Sequence, residues 1–567
     1  MESSGGEWGS RAMLIAIAIL VTLGTSVLSW DNLRSGDLAP RFHWPDETTN
    51  AYVAERVARG ESLVVDEPRN VKAGNLIHPR TANVRADGAM VPGAYLGLPL
   101  WYGLLGRVFG ARAMLFFTPL LAGLGLLAFA RIVRVLWDFR TALIATLLLA
   151  FHGTLWMFTA TAFLPNVPFV VLLLLAFAVL VGHPPQLPLW KRGRVVRNPP
   201  AHLEGGRGGV GGWLLGGLLI GIALTMRTHE IVWVAALGIV LAWRQRASWR
   251  QMGAAALGIV LPFVPVLALN AQLYGSPFTT GYALLHESGA LPTEFVQSGG
   301  ILRAFVAPFG WDFASAFRRF WEYMVVPYWW FMALAGVGVV RSVIGAGEIS
   351  RFARNDTGEI RNDRGERSVA IRGNGAYVVM GTLVIVAWLI LFYGSWTIAD
   401  PLVRATNVLT ISYARYWLPI IVLLAPFAAS GFLALLARAS RMRLPIAALV
   451  FLAIASTSGR KIIADPLEGL VRQRQALAEH RERARAVIAA TPDDAVILSH
   501  RMDKVFFPER AVVHAQDAPD ADFMRRVGLL LESAPVYWYA PGVVEVPFPL
   551  TAVAPMPFGE TLYRVGD

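Results

Sequence analysis

VPGAYLGLPLWYGLLGRVFG, residues 91–110, is apolar enough to be counted as a membrane span, and whether it is one decides the orientation of everything after it. Its prolines and recurrent glycines suit a helix lying in the membrane interface better than one crossing the hydrocarbon core. Counting it as a span would also reverse every later loop. The arginine-rich loops would then lie outside, although Lys and Arg gather in cytoplasmic loops. The stretch is therefore read as the membrane-hugging end of one long outer loop, residues 31–112.

Outward from that loop, apolar runs occur at 13–30, 113–130, 141–158, 168–182, 211–226, 231–243, 251–269, 323–340, 376–393, 416–437 and 444–458. They predict an all-α polytopic membrane protein with about eleven transmembrane helices, since each run approaches the length needed to cross a core of about 30 Å. With the N-terminus cytoplasmic, the inner segments hold 22 Lys and Arg and the short outer loops hold 6. An odd number of spans places the tail outside. The chain divides into a transmembrane domain, 1–459, and an extracytoplasmic C-terminal α/β domain, 460–567. The tail opens with a charged helical run, EGLVRQRQALAEHRERARAVIAA, and continues with the strand-like pieces AVILS, RAVVH and PVYWYA. Residues 13–30 lack a basic flank beyond Arg11 and a good cleavage site, so they are read as a retained helix rather than a signal peptide.

Composition agrees with this class. Hydrophobic residues make up 55% and charged residues 16% of the 567, with mean hydropathy +0.49. The formal charge of +12 sits mainly in short loops, where it sets topology, and no nucleic-acid motif accompanies it. With no cysteine, disulfides, thiolate metal sites and cysteine nucleophiles are excluded. The segments 183–210 and 345–375 read as cytoplasmic linkers without a site.

One constellation carries chemistry. The first outer loop contains HWPDETTNAYVAERVARGE, in which Asp46 and Glu47 follow Pro45 at a predicted helix start. Helix capping alone accounts for such a pair. The same outer face, however, gathers opposite charge: His78, Arg80 and Arg85 in the first loop, Arg227 in LTMRTHE, Arg404, and Arg415 in SYARYWLP. Any one of these arginines can be explained by snorkelling, whereas together they suit a lipid phosphate, because guanidinium groups grip phosphate through two oxygens. Aromatic residues crowd the same face, including Tyr393, Trp396, Tyr413, Tyr416 and Trp417. Most belong to an interfacial belt, with some available to stack on a sugar; Tyr416 is assigned to substrate binding with His78. His152 reads as a packing residue, and no phosphate loop, HExxH or nucleophile elbow is present.

These pieces, in order and on the faces assigned from arginine counts, resemble the GT-C superfamily of membrane glycosyltransferases, in particular the protein O-mannosyltransferase and aminoarabinose-transferase branch. The resemblance covers residues 13–437 and rests on PDETTNAYVAERVARGE, PGAYLGLPLWYGLLGRVFG, GLLIGIALTMRTHE, NAQLYGSPFTTGY, and GSW followed by SYARYWLPI. It implies a GT-C-like fold with interfacial helices in the first outer loop. It also implies a polyprenyl-phosphate sugar donor, carrying mannose or a related hexose, and transfer to a protein, lipid or polysaccharide acceptor on the outer face of a prokaryotic-type plasma membrane. The catalytic base then falls on Asp46, with Glu47 as its neighbour. Relatives often carry a basic residue where this chain has ADGAMVPGAY, so the donor phosphate falls to others, among them Arg80, Arg85 and Arg415. Relatives also often carry an acidic residue where this chain has Asn166, which leaves a divalent-metal requirement open.

The rival reading is a transporter or lipid-linked sugar flippase lining a path with the same charges. Such proteins tend to show internal repeats and ionisable groups near the midplane, and here neither is visible. Tail residues 460–567 could bind an acceptor or partner, though Asp503 and Lys504 in SHRMDKVFFPER read as a solvated turn.

Overall fold

A computed structural model describes residues 4–34, 36, 38–181, 209–282, 306–307, 309–352, 375–396, 412–439, 442–465, 469–515, 520–542 and 546–566. Among these residues, four helices are long and apolar enough to cross a membrane: Ala111–Leu136, Trp249–Tyr274, Tyr413–Arg438 and Arg443–Ala464. Three bent pairs also qualify, and three shorter apolar helices, Asn166–Leu180, Val210–Met226 and Val379–Gly394, complete this set. The chain is an integral multi-pass membrane protein with a small C-terminal sheet.

Several predicted spans are not simple rods. The first bends by 44° at Ser26, and the run at 141–158 breaks by 58° between Phe139–Ala150 and Gly153–Ala160. The predicted span 323–340 is corrected further: it straddles a 107° corner between Phe313–Val325 and Trp329–Ile344. Pro327 lies in that corner, where its missing N–H and fixed φ end a helix. Apolar content marks hydrocarbon contact but is blind to such corners.

Membrane helices have no hydrophobic force to drive them together, so close packing must hold them. Trp329–Phe352 and Leu418–Arg438 meet at two facing glycines. A Cβ on Gly338 would run into the Phe427 carbonyl oxygen, and one on Gly431 into the Leu334 carbonyl oxygen.

The segment 31–112 folds mainly as helices rather than as an irregular connection. Pro45–Arg59 starts with Pro at its first position and acidic residues in its first turn, and stops at Gly60, whose φ of 73° is the left-handed cap. The helix Gly97–Phe109 packs its buried side, Leu98, Leu100 and Tyr102, inward. Its other side leaves Leu104, Leu105, Val108 and Phe109 exposed. Between the two helices, β1 (Ala82–Val84) pairs antiparallel with β2 (Met90–Pro92).

The tail forms a five-stranded sheet on β3 (Val496–Ser499), β4 (Ala511–His514), β5 (Val536–Ala540), β6 (Leu550–Pro555) and β7 (Thr561–Val565), ordered β4-β3-β5-β7-β6. β3 runs parallel to β4 and β5, while β7 is antiparallel to β5 and β6. The three strand-like pieces of the sequence are β3, β4 and β5. Alternation along β3 sends Val496 and Leu498 to one core and Ile497 to the other. First-loop residues enter both: Leu76 and Ile77 join the first, Ala82 and Met90 the second. His78 also bridges Val513 at the β4 edge.

Candidate active site

The acidic pair separates at the start of Pro45–Arg59. Glu47 folds back, its Oε2 accepting from the Trp44 backbone N–H at 3.4 Å, and is 2% exposed. It caps the backbone at the helix start from the third helical position, without a reciprocal bond from the Trp44 indole, which has no acceptor atom. Burial pushes its carboxyl up to about 8, against the backbone hydrogen bonds of Trp44 and Phe163, which pull it down. Asp46 points elsewhere. Its half-buried carboxylate meets Arg415, with Oδ2 3.2 Å from Nη2.

Arg415 reaches this point because a 3-10 turn, Ser412–Trp417, precedes the helix Leu418–Arg438 and stands it at the helix mouth. Its side chain is 9% exposed. Nη2 also donates to the Tyr416 hydroxyl at 3.3 Å, while the buried Nε has no acceptor among the described residues. A buried donor of this kind is costly unless something satisfies it.

A second guanidinium also lies against Tyr416. Arg227 follows the end of Val210–Met226, with its central carbon 4.9 Å from the Tyr416 ring centroid; Arg415 lies 5.2 Å from the same ring. Arg227 is fixed by Glu230, whose Oε1 accepts from its Nε at 2.9 Å, and by the Tyr393 hydroxyl, 2.7 Å from Nη2. The Tyr393 hydroxyl and the Trp233 indole N–H both donate to Glu230, which is 1% exposed. His229 contacts the Tyr393 hydroxyl at 3.2 Å and that of Tyr95 at 3.3 Å.

Two loop segments complete the wall. Tyr95, in PGAY, and Tyr282, in TTGY, place their rings 5.0 Å apart. Gly281 makes this convergence feasible, since a Cβ there would lie 2.6 Å from the carbonyl carbon of Gly93. Tyr393 stacks on Tyr416 at 5.1 Å, and Trp396 meets Tyr416 edge-on at 5.1 Å.

The predicted site residues therefore divide. Asp46, Arg227, Arg415 and Tyr416 come together. Arg80, assigned from the sequence to the donor phosphate, is held elsewhere: its Nε donates to Asp503 at 2.8 Å and its Nη2 to the Arg501 carbonyl at 3.1 Å. Arg85 pairs with Asp87 at 2.8 Å in the β1–β2 turn. His78 is buried at the β4 edge, its Nδ1 against the Pro79 carbonyl, and burial lowers its pKa. Arg404 lies outside the described residues. Asp503 is no solvated turn: it is fully buried and ion-paired with Arg80. Such a pair costs about 3–5 kcal/mol when one partner is removed.

Glu230, His229, Tyr95 and Tyr282 were missed as site residues. Their signal is faint: Glu230 and Arg227 are an i,i+3 ion pair at a break between two apolar helices, where neither charge is needed for topology. Among the described residues no cluster of three or more His, Asp or Glu is suited to a metal ion.

No family model and no curated protein matches the chain. Solved structures do. The chain is similar to the crystal structure of ArnT from Cupriavidus metallidurans bound to undecaprenyl phosphate, at 11% identity over 98% of each chain and a TM-score of 0.48. The apo form of that protein gives 12% identity, 99% and 98% coverage and a TM-score of 0.42. The apo oligosaccharyltransferase of Archaeoglobus fulgidus gives 11% identity over 94% of this chain and 70% of that one, with a TM-score of 0.44.

Proposed function

We propose that the protein is a membrane glycosyltransferase that moves a sugar from a polyprenyl-phosphate donor to an acceptor hydroxyl on the extracytoplasmic face. The reading is carried by one observation: the Asp46 carboxylate stands 3.2 Å from a buried guanidinium that retains an unused donor, beside an aromatic wall at the helix mouths. A sugar on a lipid phosphate already has a competent leaving group. Catalysis then needs a base for the acceptor proton and fixed positive charge for the departing phosphate.

In this mechanism the acceptor O–H gives its proton to Asp46 as its oxygen attacks the anomeric carbon. The bond from that carbon to the phosphate oxygen breaks, and polyprenyl phosphate leaves with the electron pair, inverting the configuration. Arg415 and Arg227 hold the phosphate, and Arg415 orients Asp46. Tyr416 lies against both guanidinium groups. The sugar stacks against the aromatic wall.

The test is a single substitution. Purified Asp46→Asn protein is expected to bind the polyprenyl-phosphate donor but transfer sugar about 100-fold or more slowly, the loss of a general base. Transfer at the wild-type rate sinks the reading, as does lipid scrambling without any sugar transfer.

A further inference from the structure

We propose that two consecutive residues of the C-terminal domain, Asp503 and Lys504, are positioning residues for Asp46, gripping the chain on both sides of it. The inference rests on the reading of Asp46 as the base. It assigns a role to two tail residues that the sequence reads as a solvated turn.

The two grips are separate. Asp503, at the start of the short helix Asp503–Phe506, accepts from the Arg80 backbone N–H at 2.9 Å through Oδ2 and from Arg80 Nε at 2.8 Å through Oδ1. The next residue, Thr81, passes that hold to the acidic helix: its hydroxyl donates to the Pro45 carbonyl at 3.0 Å and contacts the Thr49 hydroxyl at 2.6 Å. Pro45 and Thr49 belong to the first turn and a quarter around Asp46.

Lys504 acts on the other strand. Its ammonium donates to the His43 carbonyl, two residues before the helix begins. Upstream, Glu509 accepts from the Ala39 backbone N–H at 2.9 Å and from Arg41 Nη2 at 2.8 Å, and Arg41 is completely buried. Phe507 closes the contact, its ring 4.7 Å from that of Tyr52 on the acidic helix. An anion and a cation adjacent in sequence thus hold residues 80–81 and residue 43, the two segments that bracket Asp46. Neither touches the reacting atoms.

Such a clamp controls placement rather than binding. A base displaced by about 1 Å loses on the order of 100-fold in rate, whereas the donor's contacts with Arg227 and Arg415 stay intact. The test uses the full-length protein in lipid nanodiscs. Lys504→Met is expected to speed amide exchange over residues 43–49 and lower kcat about 10-fold or more. The KM for donor and the affinity for polyprenyl phosphate alone should stay within about twofold. Lys504→Arg should restore both exchange and kcat. Asp503→Asn extends the series, with Lys504→Met as the informative variant if the buried change prevents folding. Native exchange and native kcat in Lys504→Met overturn the clamp while Asp46→Asn remains inactive. If Asp46→Asn itself transfers sugar normally, the reading of Asp46 falls first, and the clamp falls with it.

Discussion

At position 47 the carboxyl group sits where water does not reach, while its neighbour at 46 faces a guanidinium. The folded state keeps the Glu47 proton until about pH 8, whereas an unfolded chain releases it near the ordinary value of 4.5. Between those values the native state binds the extra proton, so stability falls as pH rises. Glu47→Gln should flatten that fall, read as thermal midpoints of the purified protein between about pH 5 and about pH 8. An equally steep decline in the variant would exclude Glu47 as its source. Glu230 supports a different expectation. Glu230→Gln removes the charge that fixes Arg227, so steady-state kinetics should show the donor KM rising by about 10-fold, with kcat changed less. Tyr393→Phe, which deletes one of several bonds, should have the smaller effect.

Among the elements, the crossing of Trp329–Phe352 with Leu418–Arg438 matters most to the site, because Leu418–Arg438 carries Arg415 and Tyr416 at its mouth. Gly338→Leu would force the helices apart at the Phe427 carbonyl, with the overpacking cost of about 1–3 kcal/mol. The expected result is a lower unfolding temperature together with reduced transfer. A variant of native stability would mean that the crossing is slack. Apolar runs made most of these helices legible in the sequence, since a hydrocarbon solvent demands long apolar segments. Corners such as that at Pro327 were not legible, because a helix lying along the membrane and one crossing it can share a composition.

Across the whole molecule, the legible part of the site was the part written in local charge. Asp46, Arg227, Arg415 and Tyr416 stand out as polar groups at the ends of apolar segments. Arg80 stood out by the same rule and was misplaced, because its partner Asp503 lies 423 residues away and only the fold brings them together. The tyrosines at 95 and 282 were likewise hidden, since their meeting depends on Gly281 rather than on either ring. Asp503 and Lys504 read as surface charge for a related reason: nothing local tells a solvated turn from one that another segment will cover.

The interlock of residues 39–80 with residues 494–526 has a consequence for biogenesis. During synthesis the acidic loop emerges more than 400 residues before the strands that complete its surroundings, with the intervening helices made in between. A nascent chain halted before the tail would hold a threaded bundle with an unfinished centre. The surroundings of Asp46 are therefore complete only once residues 494–526 have been made and have docked.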